Sequence, residues 1–162
     1  MRSSVPPRVV LFDRDGTLVV DVPYNGDPER VVPIDGARTC LERLRDAGLK
    51  IGVATNQSGI GRGLFSHSQL DAVHARIESL LGPFDGWFVC THAPAENCEC
   101  RKPKPKLLLD AVRAFGVEPA QCIFVGDKEE DVEAARRAGM PGLRVGRDLT
   151  LGAACEKILS SV

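Results

Sequence analysis

Short apolar runs alternate with amphipathic helical stretches along most of this 162-residue chain, and that alternation leaves few folds open. Residues 8–12, 49–54, 86–89, 121–125 and 142–145 read as buried strands. Between them, residues 36–47, a stretch opening at Ser66, residues 106–115 and residues 129–138 space their apolar side chains helically. Leu41 and Leu44 share one face of the first helix; Leu70, Val73, Ile77, Leu80 and Leu81 share one of the second. Ser66 is a helix cap by type, and Gly48, Gly116 and Gly139 stand where helices should stop. Residues 151–159 predict a short final helix. Such alternation builds an α/β fold, a doubly wound parallel sheet joined by right-handed crossovers. No repeat, linker or low-complexity tract divides the chain, so one domain is expected over residues 1–162, without a separate cap domain. The long irregular stretches are residues 17–34 and 91–105, and loops of that length in a compact domain are usually functional.

The predicted strand ends carry reactive side chains. The first runs Val9-Val10-Leu11-Phe12 into Asp13-Arg14-Asp15-Gly16-Thr17. Residues i and i+2 of an extended chain point to one side, so Asp13 and Asp15 are expected to face one space. Crowded carboxylates repel unless a cation or a shared proton relieves them. The motif therefore asks for a metal, with one carboxylate as nucleophile and the other as acid. The second strand runs into Thr55-Asn56-Gln57-Ser58-Gly59, the segment after the third carries Arg101 and Lys102, and the fourth ends at Gly126-Asp127-Lys128 with Asp131 one helical turn on. Singly, each has an ordinary reading: Thr55 a turn cap, Lys102 a solvated cation, Asp127 a helix cap. Together they fall where open α/β sheets bind ligands, at the carboxyl ends of strands.

Composition excludes several classes of partner. A net charge of −1 and eight aromatic residues (six Phe, one Trp, one Tyr) give no basic, stacking surface for nucleic acid. No apolar run approaches the roughly 20 residues needed to cross a bilayer, and residues 1–7 do not form a signal peptide. A cytoplasmic protein is expected. Of six cysteines, Cys40, Cys122 and Cys155 lie scattered in apolar stretches and read as buried small hydrophobes. Cys90, His92, Cys98 and Cys100 form a Cys-x-His-x5-Cys-x-Cys segment. Three thiols and an imidazole make a closed tetrahedral zinc set, structural rather than catalytic; the other reading is a reduced cysteine-rich loop. Cys100 directly precedes Arg101 and Lys102, so zinc there would fix the loop that carries the cation.

The order Asp-x-Asp-Gly-Thr, strand-Thr-Asn, Lys, strand-Gly-Asp resembles the haloacid dehalogenase superfamily of phosphatases over nearly the whole chain. The resemblance implies a Rossmann-like core, Asp13 as nucleophile, Asp15 as general acid and base, and Thr55 and Lys102 on the phosphoryl oxygens. It implies Mg²⁺ on the side chains of Asp13 and Asp127 and on the main-chain carbonyl of Asp15. Asp131 is expected to orient Lys128 or a metal-bound water. With the cysteine loop added, the chain looks like the D-glycero-D-manno-heptose 1,7-bisphosphate phosphatases. The matching runs are Asp13 to Thr17, Thr55 to Ile60, Cys100-Arg101-Lys102-Pro103, Gly126-Asp127-Lys128 and Arg62-Gly63 with Phe65. The family's substrate contacts then fall on Asp21, Val22, Pro23, Tyr24, Thr55, Asn56, Gln57, Ser58, Arg101, Lys102 and Lys128, with Arg101 helping to recognise the bisphosphate. The short zinc loop is also similar to that of the histidinol-phosphate phosphatases, whereas Gln57 to Gly63 looks like the heptose type. The implied reaction is Mg²⁺-dependent hydrolysis of the 7-phosphate through an aspartyl-phosphate, by a monomer acting on a small phosphorylated substrate. The alternative substrate is histidinol phosphate. A non-catalytic zinc module would be expected to lack one of Asp13, Asp15, Thr55, Lys102 and Asp127, and all five are present.

Overall fold

A computed structural model describes residues 5–146 and 148–162. Five parallel strands form one sheet: β1 (Val9–Phe12), β2 (Lys50–Asn56), β3 (Gly86–Cys90), β4 (Cys122–Gly126) and β5 (Gly142–Arg144), in the order β3-β2-β1-β4-β5. Five helices connect or follow them: α1 (Ala37–Asp46), α2 (His67–Leu81), α3 (Lys106–Phe115), α4 (Glu129–Ala138) and α5 (Leu151–Leu159). The doubly wound sheet is as expected, with β2 and β3 running one or two residues further than their apolar runs. Among the described residues no inserted segment builds a second folded unit.

Strand alternation divides the core into two layers. Val10 and Phe12 of β1 pack with Leu41, Leu44, Val73, Ile77, Leu151 and Ile158 of α1, α2 and α5. Val9 and Leu11 face the other way, onto Leu107, Leu108 and Ala111 of α3 and Ala134, Ala135 and Ala138 of α4. The helix signals act as read. The Ser66 hydroxyl accepts from the Gln69 N–H at 3.1 Å while Gln69 Oε1 accepts from the Ser66 N–H at 2.8 Å, a reciprocal cap for α2. Cys40, Cys122 and Cys155 are buried and unpaired by disulfide.

This topology prepares a site. β1 pairs with β2 on one side and β4 on the other, so the chain reverses its winding at β1. A crevice opens at such a reversal beyond the carboxyl ends of the strands. The register places Phe12 beside both Val53 and Val125, which brings Asp13, Thr55 and Asp127 to the same edge.

The loop at 17–34 is more ordered than its sequence suggests. Val20 N–H donates to Val32 O and Ile34 N–H to Leu18 O, at 2.8 and 2.9 Å, so its two limbs lie antiparallel. Buried Leu18, Val19 and Val31 anchor both limbs in the core. A short 3₁₀ turn, Pro28–Arg30, closes the far end, with the Asp27 side chain accepting from the Glu29 N–H.

Candidate active site

Lys102 is the hub. It is 2% exposed, and its ammonium donates to Asp13 Oδ1 at 2.9 Å, Asp131 Oδ1 at 2.7 Å and the Ala54 carbonyl at 3.1 Å. The reading of Lys102 as a solvated cation is thereby excluded. Its main chain is held as firmly: Asn56 Oδ1 accepts from the Lys102 N–H at 3.0 Å, and Asn56 Nδ2 donates to the Lys102 carbonyl at 3.2 Å. Asn56 thus directs its amide to Lys102 while also lining the cleft. Burial alone would lower the Lys102 pKa, but Asp13 and Asp131 hold it above the ordinary value. Burial pushes the Asp13 carboxyl up to about 7, with Lys102 pulling against it and Asp131 adding to it.

Carboxylate oxygens of Asp13, Asp127 and Asp131 lie within 4.8 Å of one another. Hard oxygen donors clustered around one space suit a divalent cation such as Mg²⁺. Gly16 has φ +81°, and a Cβ there would run into the Asp127 carboxylate, so glycine admits Asp127 to the cluster. Thr17 Oγ1 donates to Asp127 Oδ1 at 3.3 Å. Asp131 accepts from the Lys128 N–H at 3.1 Å, so it rather than Asp127 caps α4.

The carboxylate group extends beyond the Asp13–Asp15 motif, because Asp127 and Asp131 crowd against Asp13. Asp15 accepts from Arg14 Nε at 3.0 Å and from Gln57 Nε2 at 2.9 Å. Gln57 Nε2 also donates to Thr55 Oγ1 at 2.9 Å, tying buried Thr55 to Asp15. The role expected for Asp131 is also incomplete, because its second oxygen bonds Lys102.

Above this floor lies an open cleft of about 260 Å³. Asp21, Val22, Pro23 and Tyr24 line it from one side, Asn56, Gln57, Ser58 and Gly59 from another, and Arg101, Lys128 and Glu130 from a third. Arg14 and Asp15 also reach it. Of the predicted contacts, Thr55 and Lys102 sit deeper, with Asp13. Tyr24 has φ +52°, and the Arg62 guanidinium stands 5.5 Å over its ring. Glu130 had no signal in the sequence beyond its nearness to Asp127.

Beside the cleft, Cys90, His92, Cys98 and Cys100 come together, their ligand atoms within 4.8 Å of one another. Cys90 and Cys100 Sγ are 2.8 Å apart, and Cys100 Sγ is 3.2 Å from His92 Nδ1. Burial pushes the Cys90 thiol up to about 12. Burial, the largest single influence on Cys98, pushes its thiol up, but the Arg101 N–H, the Cys90 thiol and the Cys100 N–H together bring it down to about 7. Three soft thiols and one imidazole fit zinc, with no oxygen donor among them. The β2–β3 register joins this cluster to the cleft: Asn56 lies opposite Cys90, and the Gln57 N–H donates to the Cys90 carbonyl at 2.7 Å.

Residues 24–139 match the model of the haloacid dehalogenase-like hydrolase family. The chain is 38% identical to the D-glycero-beta-D-manno-heptose-1,7-bisphosphate 7-phosphatase of Pseudomonas aeruginosa, over 79% of this chain and 75% of that one. It is 34% identical to the protein of the same name from Yersinia pestis, over 100% of this chain and 94% of that one. Among solved structures it is similar to the D,D-heptose 1,7-bisphosphate phosphatase of B. bronchiseptica complexed with magnesium and phosphate, with a TM-score of 0.87 and 29% identity, over 96% of this chain and 99% of that one.

Proposed function

The chain belongs to the haloacid dehalogenase-like hydrolases, and from that footing we propose that it removes the 7-phosphate of D-glycero-beta-D-manno-heptose 1,7-bisphosphate. The observation that carries this reading is buried Lys102, clamped by Asp13 and Asp131 beneath a cleft that offers Arg101 and Lys128. A buried cation beside a carboxylate cluster suits one phosphoryl group, and further cations at the rim suit a second.

In this mechanism an Asp13 carboxylate oxygen bonds phosphorus as the ester P–O bond breaks, leaving an aspartyl-phosphate. Asp15 gives its proton to the departing alkoxide, then takes one from the water that frees phosphate from Asp13. Lys102 and Thr55 hold the phosphoryl oxygens through the in-line transfer. Asp13, Asp127 and the Asp15 carbonyl would hold Mg²⁺, with Asp131 adjoining; when bound, it neutralises phosphoryl charge that would repel the carboxylate nucleophile. Cys90, His92, Cys98 and Cys100 would hold a structural Zn²⁺ that stiffens the loop carrying Arg101 and Lys102. Asp21, Val22, Pro23, Tyr24, Asn56, Gln57, Ser58, Arg101 and Lys128 receive the sugar and its second phosphate.

No helix among the described residues is long and apolar enough to cross a membrane. The proposal takes residues 1–162 as one phosphatase domain, monomeric and cytoplasmic, where thiols stay reduced. Its test is steady-state phosphate release with Mg²⁺ from both anomers of the heptose bisphosphate and from histidinol phosphate. A kcat/KM advantage of about a hundredfold for the beta anomer is expected. A preference for histidinol phosphate would withdraw the substrate and leave the chemistry standing.

A further inference from the structure

The Asp15 carboxylate is gripped from two sides, and one grip leads away from the cleft into the body of the protein. Gln57 holds Oδ2, and Arg14 Nε donates to Oδ1. Arg14 is itself 2% exposed, an uncommon place for a guanidinium, and its Nη1 lies 3.1 Å from His74 Nε2 on α2. Arginine can only donate, so His74 Nε2 must be the bare, accepting nitrogen. Burial, with the Arg14 charge adding to it, pushes the imidazole down to about 3, which keeps the ring neutral. The ring stacks on Trp87 of β3, with centroids 3.9 Å apart and planes 17° off parallel. Trp87 Nε1 in turn donates to Glu78 Oε1 at 2.9 Å, one helical turn beyond His74 on α2.

We propose that His74 is a positioning residue: by accepting from Arg14 it fixes the guanidinium that aims the Asp15 carboxylate at the leaving oxygen. The proposal rests on Asp15 as the general acid. The backbone already places Asp15 near the cleft; aiming one carboxylate oxygen is a finer demand, and displacements of about 1 Å can cost a hundredfold in rate. An arginine beside Asp15 with no partner behind it would be free to swing toward the cleft. His74, braced by Trp87 and Glu78, removes that freedom.

The test compares leaving groups. His74→Phe keeps an aromatic ring on Trp87 but has no acceptor; His74→Gln restores one. The substrates are the heptose bisphosphate, or any alkyl phosphate the enzyme turns over, and p-nitrophenyl phosphate, whose phenolate departs without a proton. His74→Phe is expected to lower kcat/KM about 10- to 100-fold on the alkyl ester and less than about twofold on the aryl ester, with recovery in His74→Gln. Equal losses on both esters, or none on either, would overturn the proposal. Should His74→Phe fail to fold, His74→Leu, also without an acceptor, must show the same selectivity. Asp15→Asn is the reference: leaving-group selectivity there without any in the His74 variants defeats the proposal alone, and its absence in Asp15→Asn defeats the reading of Asp15 beneath it.

Discussion

At the scale of single residues, the site is governed by charge balance in a dry place. Lys102 serves two buried carboxylates at once, so its removal should do more than end catalysis. Lys102→Met is expected to lower stability in a chelating buffer by about 3 kcal/mol, because breaking a buried pair leaves unpaired charge. Urea unfolding measures the loss, and added Mg²⁺ should recover part of it by replacing the missing positive charge. Turnover of any phosphate ester should fall at least about a thousandfold. Asp13 makes a prediction of opposite dependence on protons. Its folded pKa, about 7, lies above its ordinary value of 3.8. The folded state therefore binds more protons than the unfolded one between those values, and this contribution to stability is lost as pH rises through them. Mg²⁺ competes with that proton. The Tm gained on adding Mg²⁺ should thus be small at pH 5 and large at pH 8, and the difference should vanish in Asp13→Asn. A pH-independent gain would mean that the ion binds elsewhere.

At the scale of elements, the strands and helices were legible because each carries its own signal. Buried strands read as continuous apolar runs, and the helices show one apolar face with a capping residue or a stop glycine. The four strand-end motifs were legible because parallel topology sends all carboxyl ends to one edge. What escaped was geometry between elements. His74 looks like an ordinary polar position on its helix, and Asp131, though legible as part of the fourth strand-end motif, carries no sign of its bond to Lys102; only packing aims one at Arg14 and the other at Lys102. The antiparallel limbs of residues 17–34 leave no periodic trace, since they are held by a few main-chain bonds and three buried apolar side chains. The cysteine segment was readable as a ligand set, but its consequence lies in its coupling to Lys102 through Asn56 and Cys90. If that cluster holds zinc as proposed, stripping the ion is therefore expected to leave the helices and sheet intact by circular dichroism and to lower kcat/KM about 10- to 100-fold. Zinc should restore activity where magnesium alone does not. Unchanged activity in zinc-free protein would dissociate the cluster from the cleft.

At the scale of the whole molecule, the described residues hold one sheet, two layers of helices and no second unit to close over the cleft. Enzymes that fold a lid over their substrate gain contacts from it; this one must discriminate with what lines an open groove. Apart from Arg14, which is tied to Asp15, the cations of the groove fall into two groups. Lys102 lies buried at the floor among carboxylates, whereas Arg101 and Lys128 stand at the rim beside Glu130. On the proposed reading a monophosphate uses the floor alone, whereas a bisphosphate uses both. Arg101→Ala should consequently raise KM for the heptose bisphosphate about 10- to 100-fold, the worth of a hydrogen bond to a charged group, with little change in kcat. p-Nitrophenyl phosphate, which has no second phosphate, should be hydrolysed with unchanged constants. The effect on the bisphosphate should shrink as salt rises, because rim charges are screened where buried ones are not. Loss of activity on both esters would have a different meaning: Arg101 adjoins Lys102 and its N–H approaches Cys98, so a general loss would show that it acts by holding the floor rather than by binding at the rim.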